Sequence, residues 1–194
     1  MTSTDQTSTR KRAPRSDGLQ NRARVRAAAR ELLAARGVGT SVADIAARAG
    51  VSKGTVLRHY ATKEDLVAEV TLETLHELLE RSTALLAAAE PFSALQSFMV
   101  EVLRLQDADQ AFCDVVTQTV PSNREVAAAT ERIGAIVEEL TARAKSAHTI
   151  AGHITGADIV ALTNAIHYAS QAIQGVDPEP WRKYLAVVLQ GLQR

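Results

Sequence analysis

The sequence predicts an all-α fold of about nine helices, a three-helix head carrying a helix-turn-helix followed by a helical body. Three observations carry that expectation. Apolar residues recur at helical spacing, as in Val25, Ala28, Ala29, Leu32 and Leu33. Alanine and leucine dominate a chain that is 46% hydrophobic, and no stretch alternates as a strand would. Glycine or proline interrupts the stripes, at Gly37, Gly39, Pro91, Pro121, Gly152 and Gly175. At 194 residues the chain is long enough to bury a real core.

The first residues are Ser/Thr-rich and then basic, at Arg10, Lys11, Arg12 and Arg15. Residues 1–18 are expected to form a disordered tail, either a plain flexible one or an arm along phosphates or in a minor groove. A first amphipathic helix is expected over 19–36, closed by Gly37 and Gly39. Ser41 then caps a second helix, with Asp44 as its acidic capping partner and Ile45, Ala46 and Ala49 on the inner face. Gly50 tolerates the positive φ of a sharp turn, and Ser52 caps a third helix. A helix-turn-helix needs a small residue where its helices cross, a glycine in the turn and a branched apolar residue between them. Ala46, Gly50 and Val56 supply these. The third helix exposes Lys53, Thr55, Leu57 and Arg58, as a groove-reading helix would. An ordinary αα-hairpin shares the turn but does not need the caps and the basic outer face together.

Thr62, with Asp65 in capping-box position, starts a helix whose stripe of Leu66, Val70, Leu75, Leu78, Leu79 and Leu86 runs to about Ala89. At ~1.5 Å per residue it is roughly 40 Å long, enough to join head to body and carry movement between them. No flexible linker separates the two, so the division expected is a head over 19–65 and a body over 66–194. Further helices are expected over about 91–106, 109–120, 123–147, 156–173 and 180–192. The last two carry Ile159, Leu162, Ile166 and Ile173, then Leu185, Val188, Leu189 and Leu192. These stripes either close the protomer's own core or form a dimer interface. Symmetry favours the interface, because one helix-turn-helix reads few bases and two on a two-fold axis read a palindrome.

A net charge of zero hides a division. Residues 1–60 hold 12 Lys and Arg against 4 Asp and Glu, and the remainder holds 10 against 18. The basic end, which includes the helix-turn-helix, is built to meet an anion, and phosphate contacts are expected there. The single cysteine, Cys113, excludes an internal disulfide and points to a reducing, cytoplasmic setting; beside Phe112 and Val115 it reads as a buried, inert thiol. No apolar run approaches the ~18–20 residues that span a bilayer, and no signal core opens the chain. No catalytic constellation is visible either. His148 and His153 lack metal-ligand spacing on a helix, and no HExxH or CxxC occurs. The expectation is therefore not an enzyme, with no metal and no cofactor.

From about Arg22 to Val70 the chain resembles the TetR family of bacterial transcriptional regulators. The resemblance rests on the Ala-rich first helix with Leu32 and Leu33, then Gly37 and the run from Thr40 to Val42. It continues through Asp44-Ile45-Ala46, the run from Ala49 to Thr55, His59-Tyr60 and the run from Lys63 to Leu66. It implies an Ω-shaped homodimer in which each head reads double-stranded operator DNA. The body then serves ligand binding and dimerisation through its last two helices, and the usual role is a repressor released by a small-molecule effector. A ligand-independent or protein-regulated DNA-binding dimer, or an activator, is the alternative. Carried onto this sequence, Thr40 or Ser41 and Lys63 hold phosphates. Lys53 and Thr55 enter the major groove, His59 meets the backbone, and Tyr60 packs into the head. Leu57 stands where the family usually has an aromatic, so a phosphate or sugar contact is lost or gives way to a thymine methyl contact. Arg58 reaches either a guanine or a phosphate.

The body is then expected to hold an apolar cavity between its middle helices. Phe98, Leu105, Phe112, Val116, Leu162, Ile166 and Tyr168 are candidate walls, and Gln106, Cys113, Thr117, Asn164, His167 and Gln171 candidate polar contacts. His167 and Gln171, four apart on an apolar helix, are the preferred pair, against the alternative of a satisfied core histidine. Aromatic content of 4% favours an aliphatic or small polar effector over a planar one.

Overall fold

Two hydrophobic cores, one behind the helix-turn-helix and one in the body, organise the chain, and the computed structural model describes residues 14–116, 123–171 and 179–193. The elements are α1 (Pro14–Arg36), a 3-10 turn (Gly37–Gly39), α2 (Val42–Ala49), α3 (Lys53–His59), α4 (Lys63–Leu85), α5 (Pro91–Ala108), α6 (Gln110–Val116), α7 (Arg124–Ser146), α8 (Gly156–Gln171) and α9 (Trp181–Leu192). Among the described residues the fold is all-helical, with one isolated bridge between Ile150 and Gln193. Thr117, Ile173 and the breaks at Pro121 and Gly175 lie outside the described residues.

The first helix begins at Pro14, not at Leu19, so residues 14–18 belong to a helix and not to a tail. Proline suits the first turn, where its missing N–H has no helical partner to lose, and Asp17 complements the positive end of the helix. In the head, Val25, Ala29 and Leu33 of α1 meet Ile45, Ala46 and Ala49 of α2 and Val56 of α3. The caps form as the sequence predicts. The Ser41 hydroxyl accepts from the Asp44 amide at 3.1 Å, and that of Ser52 from the Thr55 amide at 3.2 Å. Gly50 sits at φ 66°, ψ 38° and closes α2.

A complete Thr62–Asp65 capping box starts α4. Leu66, Val67 and Val70 still pack in the head's core, which therefore extends past residue 65, and Leu75, Leu78 and Leu79 enter the body's core. This helix ends at Leu85, short of the expected Ala89. There the Arg143 guanidinium from α7 donates to the carbonyls of Leu86 and Ala88 and turns the chain towards Pro91. The short helix α6 also joins the cores: its Ala111 lies in the head's, its Phe112 in the body's, and Val115 packs on both.

The dimer contacts expected at Ile159, Ile166, Leu185 and Leu189 require correction. These side chains are 0%, 3%, 4% and 8% exposed, closing the protomer's own core, and Leu162 and Val188 lie half-buried against it. A helical stripe faces one way, and the body's core takes it. The opposite faces of α8 and α9 expose Ala157, Ala161, Ala165, Tyr168 and Ala169, and Ala186 and Val187. Small alanines made that surface hard to see beside the larger stripe.

Candidate nucleic-acid interface and body cavity

Charge in the head is distributed more narrowly than its composition implies. Arg22, Arg26 and Arg30 recur every four residues along α1, and Glu69, Glu73 and Glu77 do the same along α4. They interleave as a ladder: Arg22 to Glu69 at 2.6 Å, Arg26 to Glu73 at 3.2 Å and Arg30 to Glu77 at 3.1 Å. Arg48 is likewise held by Glu31 at 2.5 Å. Each half-exposed pair is worth little alone, but the network fixes α1 against α4. Tyr60 is tied to the ladder's first rung. Its hydroxyl donates to Glu69 at 3.0 Å, the Arg22 guanidinium lies over its ring, and burial pushes its phenol upward. Four arginines counted as partners for an anion are thus paired within the protein. Arg24, Arg36, Lys53 and Arg58 have no carboxylate partner among the described residues, and Arg24 reaches the carbonyl of Gly50 in the helix-turn-helix turn.

On α3, Lys53, Leu57 and Arg58 are exposed while Thr55 and His59 are half-buried. Thr55 shares a 2.9 Å hydroxyl contact with Ser52. Leu57 is 43% exposed, an apolar group held out on the face that carries both free cations. Ser41 is exposed at the N-terminus of α2. Thr40 is not available as a phosphate donor: it is 4% exposed, and its hydroxyl donates to the carbonyls of Gly37 and Leu32. Lys63 is also committed, its Nζ donating to the Val38 carbonyl at 2.7 Å. Residue type at a helix start signals both roles, capping the turn and holding a phosphate, so sequence alone does not separate them.

Val38 is held from its other side as well. Its amide donates to Asp114 Oδ2 of α6 at 3.0 Å, and the other oxygen of that carboxylate accepts from Gln110 at 3.0 Å. The turn before the helix-turn-helix is thereby gripped by α4 and α6 together.

The body carries a half-open cavity of about 150 Å³ between α4, α5, α6, α7 and α8. Of the candidate residues, Phe98, Phe112 and Val116 lie on its wall, as do Gln106 and Asn164. Ile166 does not; it is packed in the core. Leu105 and Leu162 are not on the wall, and Tyr168 is 57% exposed. The sequence reading missed Leu75 and Leu78 of α4 and Ile133 of α7. Their helical stripes were visible, but a stripe does not say which core residues border an empty space.

Cys113, His167 and Gln171 form a buried chain off the cavity wall, with Sγ 3.3 Å from His167 Nε2 and Gln171 Nε2 3.4 Å from the same nitrogen. Burial lowers the imidazole's pKa. Burial, then the Asp114 and Asp109 carboxylates, raises that of the thiol. Both groups are neutral at neutral pH, which makes His167 a satisfied core histidine and Cys113 a poor nucleophile. Among the described residues no group of three or more metal-ligating side chains gathers, and no helix is long and apolar enough to cross a membrane.

Comparison with known proteins places both halves. Residues 25–70 match the N-terminal model of bacterial regulatory proteins of the tetR family, and residues 90–194 match the C-terminal domain model of SbtR-like transcriptional regulators. A TetR transcription regulatory protein from Mycobacterium vanbaalenii is 31% identical, with 94% of this chain and 100% of that one covered and a TM-score of 0.60. The ketosteroid transcriptional regulator of Mycobacterium tuberculosis shares the fold at 21% identity and a TM-score of 0.68, over 89% and 95% of the two chains. FadR of Bacillus subtilis, solved with stearoyl-CoA, shares it at 19% identity and a TM-score of 0.64, over 89% and 100%. No curated protein matches the sequence significantly.

Proposed function

Because this chain belongs to the TetR family of DNA-binding transcriptional regulators, we propose that it is a homodimeric repressor, released from a palindromic operator when a small molecule fills the body cavity. The observation that carries this reading is the position of α6. Phe112 and Val116 of this helix wall the cavity, and Asp114 between them grips Val38 in the turn that leads into the helix-turn-helix. A ligand that displaces α6 acts on the head through one short, packed path. It also acts on α4, whose Leu75 and Leu78 border the cavity while Leu66 and Val70 anchor the head. The two heads of a dimer must match half-sites about one helical turn or a multiple apart, so a small tilt costs affinity.

Lys53 and Arg58 are the groups proposed to meet DNA from α3, with Thr55 and Leu57 beside them and Ser41 and His59 towards the backbone. The partner subunit is proposed to cover the alanine-rich outer faces of α8 and α9, where Tyr168 and Val187, 57% and 65% exposed, stand out. Four helices meeting about a two-fold axis pack closely when the contact residues are small. Selection of genomic fragments by purified protein at near-physiological salt, followed by footprinting, tests the reading. A palindromic footprint supports it. Diffuse binding that vanishes steeply with salt refutes operator recognition.

A further inference from the structure

We propose that the body cavity selects an uncharged small aliphatic molecule bearing a single hydroxyl, held between Gln106 Oε1 and the Asn164 amide nitrogen. The inference rests on the reading of this cavity as the effector site and names the chemistry it accepts.

Among the described residues the wall is apolar apart from four side chains: Gln106, Thr130, Thr163 and Asn164. Both threonine hydroxyls are committed to their own helices, Thr130 donating to the Val126 carbonyl at 2.9 Å and Thr163 to that of Ile159 at 2.7 Å. Gln106 is 2% exposed and donates through Nε2 to Asn164 Oδ1 at 2.8 Å. That leaves its Oε1 buried with no partner. A buried orphan acceptor is rare, because leaving one unsatisfied is costly. On the other side of the same bond, the Asn164 amide nitrogen donates to no protein group among the described residues. The two amides therefore leave one acceptor and one donor without a protein partner among the described residues, which a hydroxyl group matches with its own proton and lone pair.

Charge narrows the class further. Among the described residues no lysine, arginine, histidine, aspartate or glutamate lines the cavity, so an anionic or cationic group would find no partner among them. Size narrows it again. A cavity of roughly 150 Å³ holds a molecule about as large as benzene. A saturated alcohol of similar bulk fits the apolar wall and places one oxygen at the amide pair. Neither the nucleotide of a coenzyme A ester nor a carboxylate head finds a partner there.

The test uses the full chain and four probes of matched length: 1-hexanol, hexane, sodium hexanoate and hexylammonium. Binding is followed by ligand-observed NMR and calorimetry, with hexanoyl-CoA as a fifth probe. Hexanol is expected to bind about tenfold tighter than hexane, the value of one added hydrogen bond, and the charged probes not at all. In Gln106→Met the alcohol's advantage over hexane is expected to vanish while hexane binding persists. Hexanoate or hexanoyl-CoA binding as well as hexanol overturns the proposal, as does binding of no probe, or an unchanged preference in Gln106→Met. Should that variant fail to fold, the wild-type ranking alone decides. Release of operator DNA is measured separately. Hexanol that binds without loosening the operator complex leaves the ligand class standing and refutes the effector reading; failure to bind refutes the ligand class and leaves the footprint intact.

Discussion

The contact between Asp114 and Val38 makes the most exposed claim of this structure, because its helix, α6, both walls the cavity and holds the turn before the helix-turn-helix. Replacing Asp114 with alanine removes an ionised acceptor from a backbone amide 3.0 Å away. Hydrogen bonds to charged groups contribute about 1.5–3 kcal/mol when shielded from water. Asp114 is half-buried, so the low end applies, about 1.5 kcal/mol. Since about 1.4 kcal/mol is tenfold in an equilibrium constant, local opening of the turn should become roughly ten times more frequent. Asparagine keeps a neutral acceptor worth about 1 kcal/mol, so Asp114→Asn should raise opening only about twofold.

Amide hydrogen exchange reads this directly. The Val38 amide is expected to exchange about tenfold faster in Asp114→Ala, with amides in the middle of α1 unchanged. Equal protection of Val38 in wild type and variant would show that the carboxylate does not hold the turn. A uniform rise across the head would mean that Asp114 supports global stability, and the route from cavity to head would lose its physical link. Binding of hexanol in the cavity should survive the substitution, while its effect on operator affinity should shrink.

Four other outcomes follow from the same geometry. Arg58→Ala should weaken the true operator far more than random DNA if the guanidinium reads a base, a difference of ~1–3 kcal/mol; equal weakening on both would make it a phosphate contact. Lys53→Ala should flatten the salt dependence of operator binding by about one phosphate contact per head, whereas Arg26→Ala, taken from the ladder, should leave the slope alone, as titrations between low and physiological salt will show. Gly156→Ala should destabilise by about 1–3 kcal/mol in urea melts, because a Cβ there would lie 2.7 Å from the Glu138 backbone where α7 and α8 cross. Burial holds the His167 pKa below its ordinary value, so the unfolded chain binds a proton that the folded one resists. Stability should therefore fall as pH drops below about 6.5, by up to about 1.4 kcal/mol per unit, and thermal melts of His167→Gln should lose that part of the slope.

The head was legible because its signals are local. Ser41, Ser52 and Thr62 cap helices within three residues of themselves, and Gly50 shows its turn by its missing Cβ, so each boundary needs only its own neighbourhood. The end of α4 was not legible, because Arg143, far along the chain, sets it. Nor was the outer face of α8 and α9. The strongest stripe in each helix belongs to the protomer's core, and alanines give little contrast against it. The cavity lies between. Its aromatic walls Phe98 and Phe112 followed from residue type, as did Gln106 and Asn164 as polar contacts, whereas the pairing that leaves Gln106 Oε1 free depends on packing between α5 and α8.

Charge counting misled for a related reason. An arginine on a helical surface is scored as free in a sequence, yet the four-residue spacing of Arg22, Arg26 and Arg30 is repeated by Glu69, Glu73 and Glu77 on the helix packed against them. Two helices with complementary charges at one period neutralise each other, and the cations left over concentrate at α3 and its flanks. The consequence reaches function. The ladder binds α1 of the head to the same α4 whose Leu75 and Leu78 wall the cavity, while Asp114 binds the neighbouring turn to α6. On the proposed reading, a head fastened at both points follows the helices that border the cavity, and a ligand filling a space of about 150 Å³ would thereby change the spacing of the two heads.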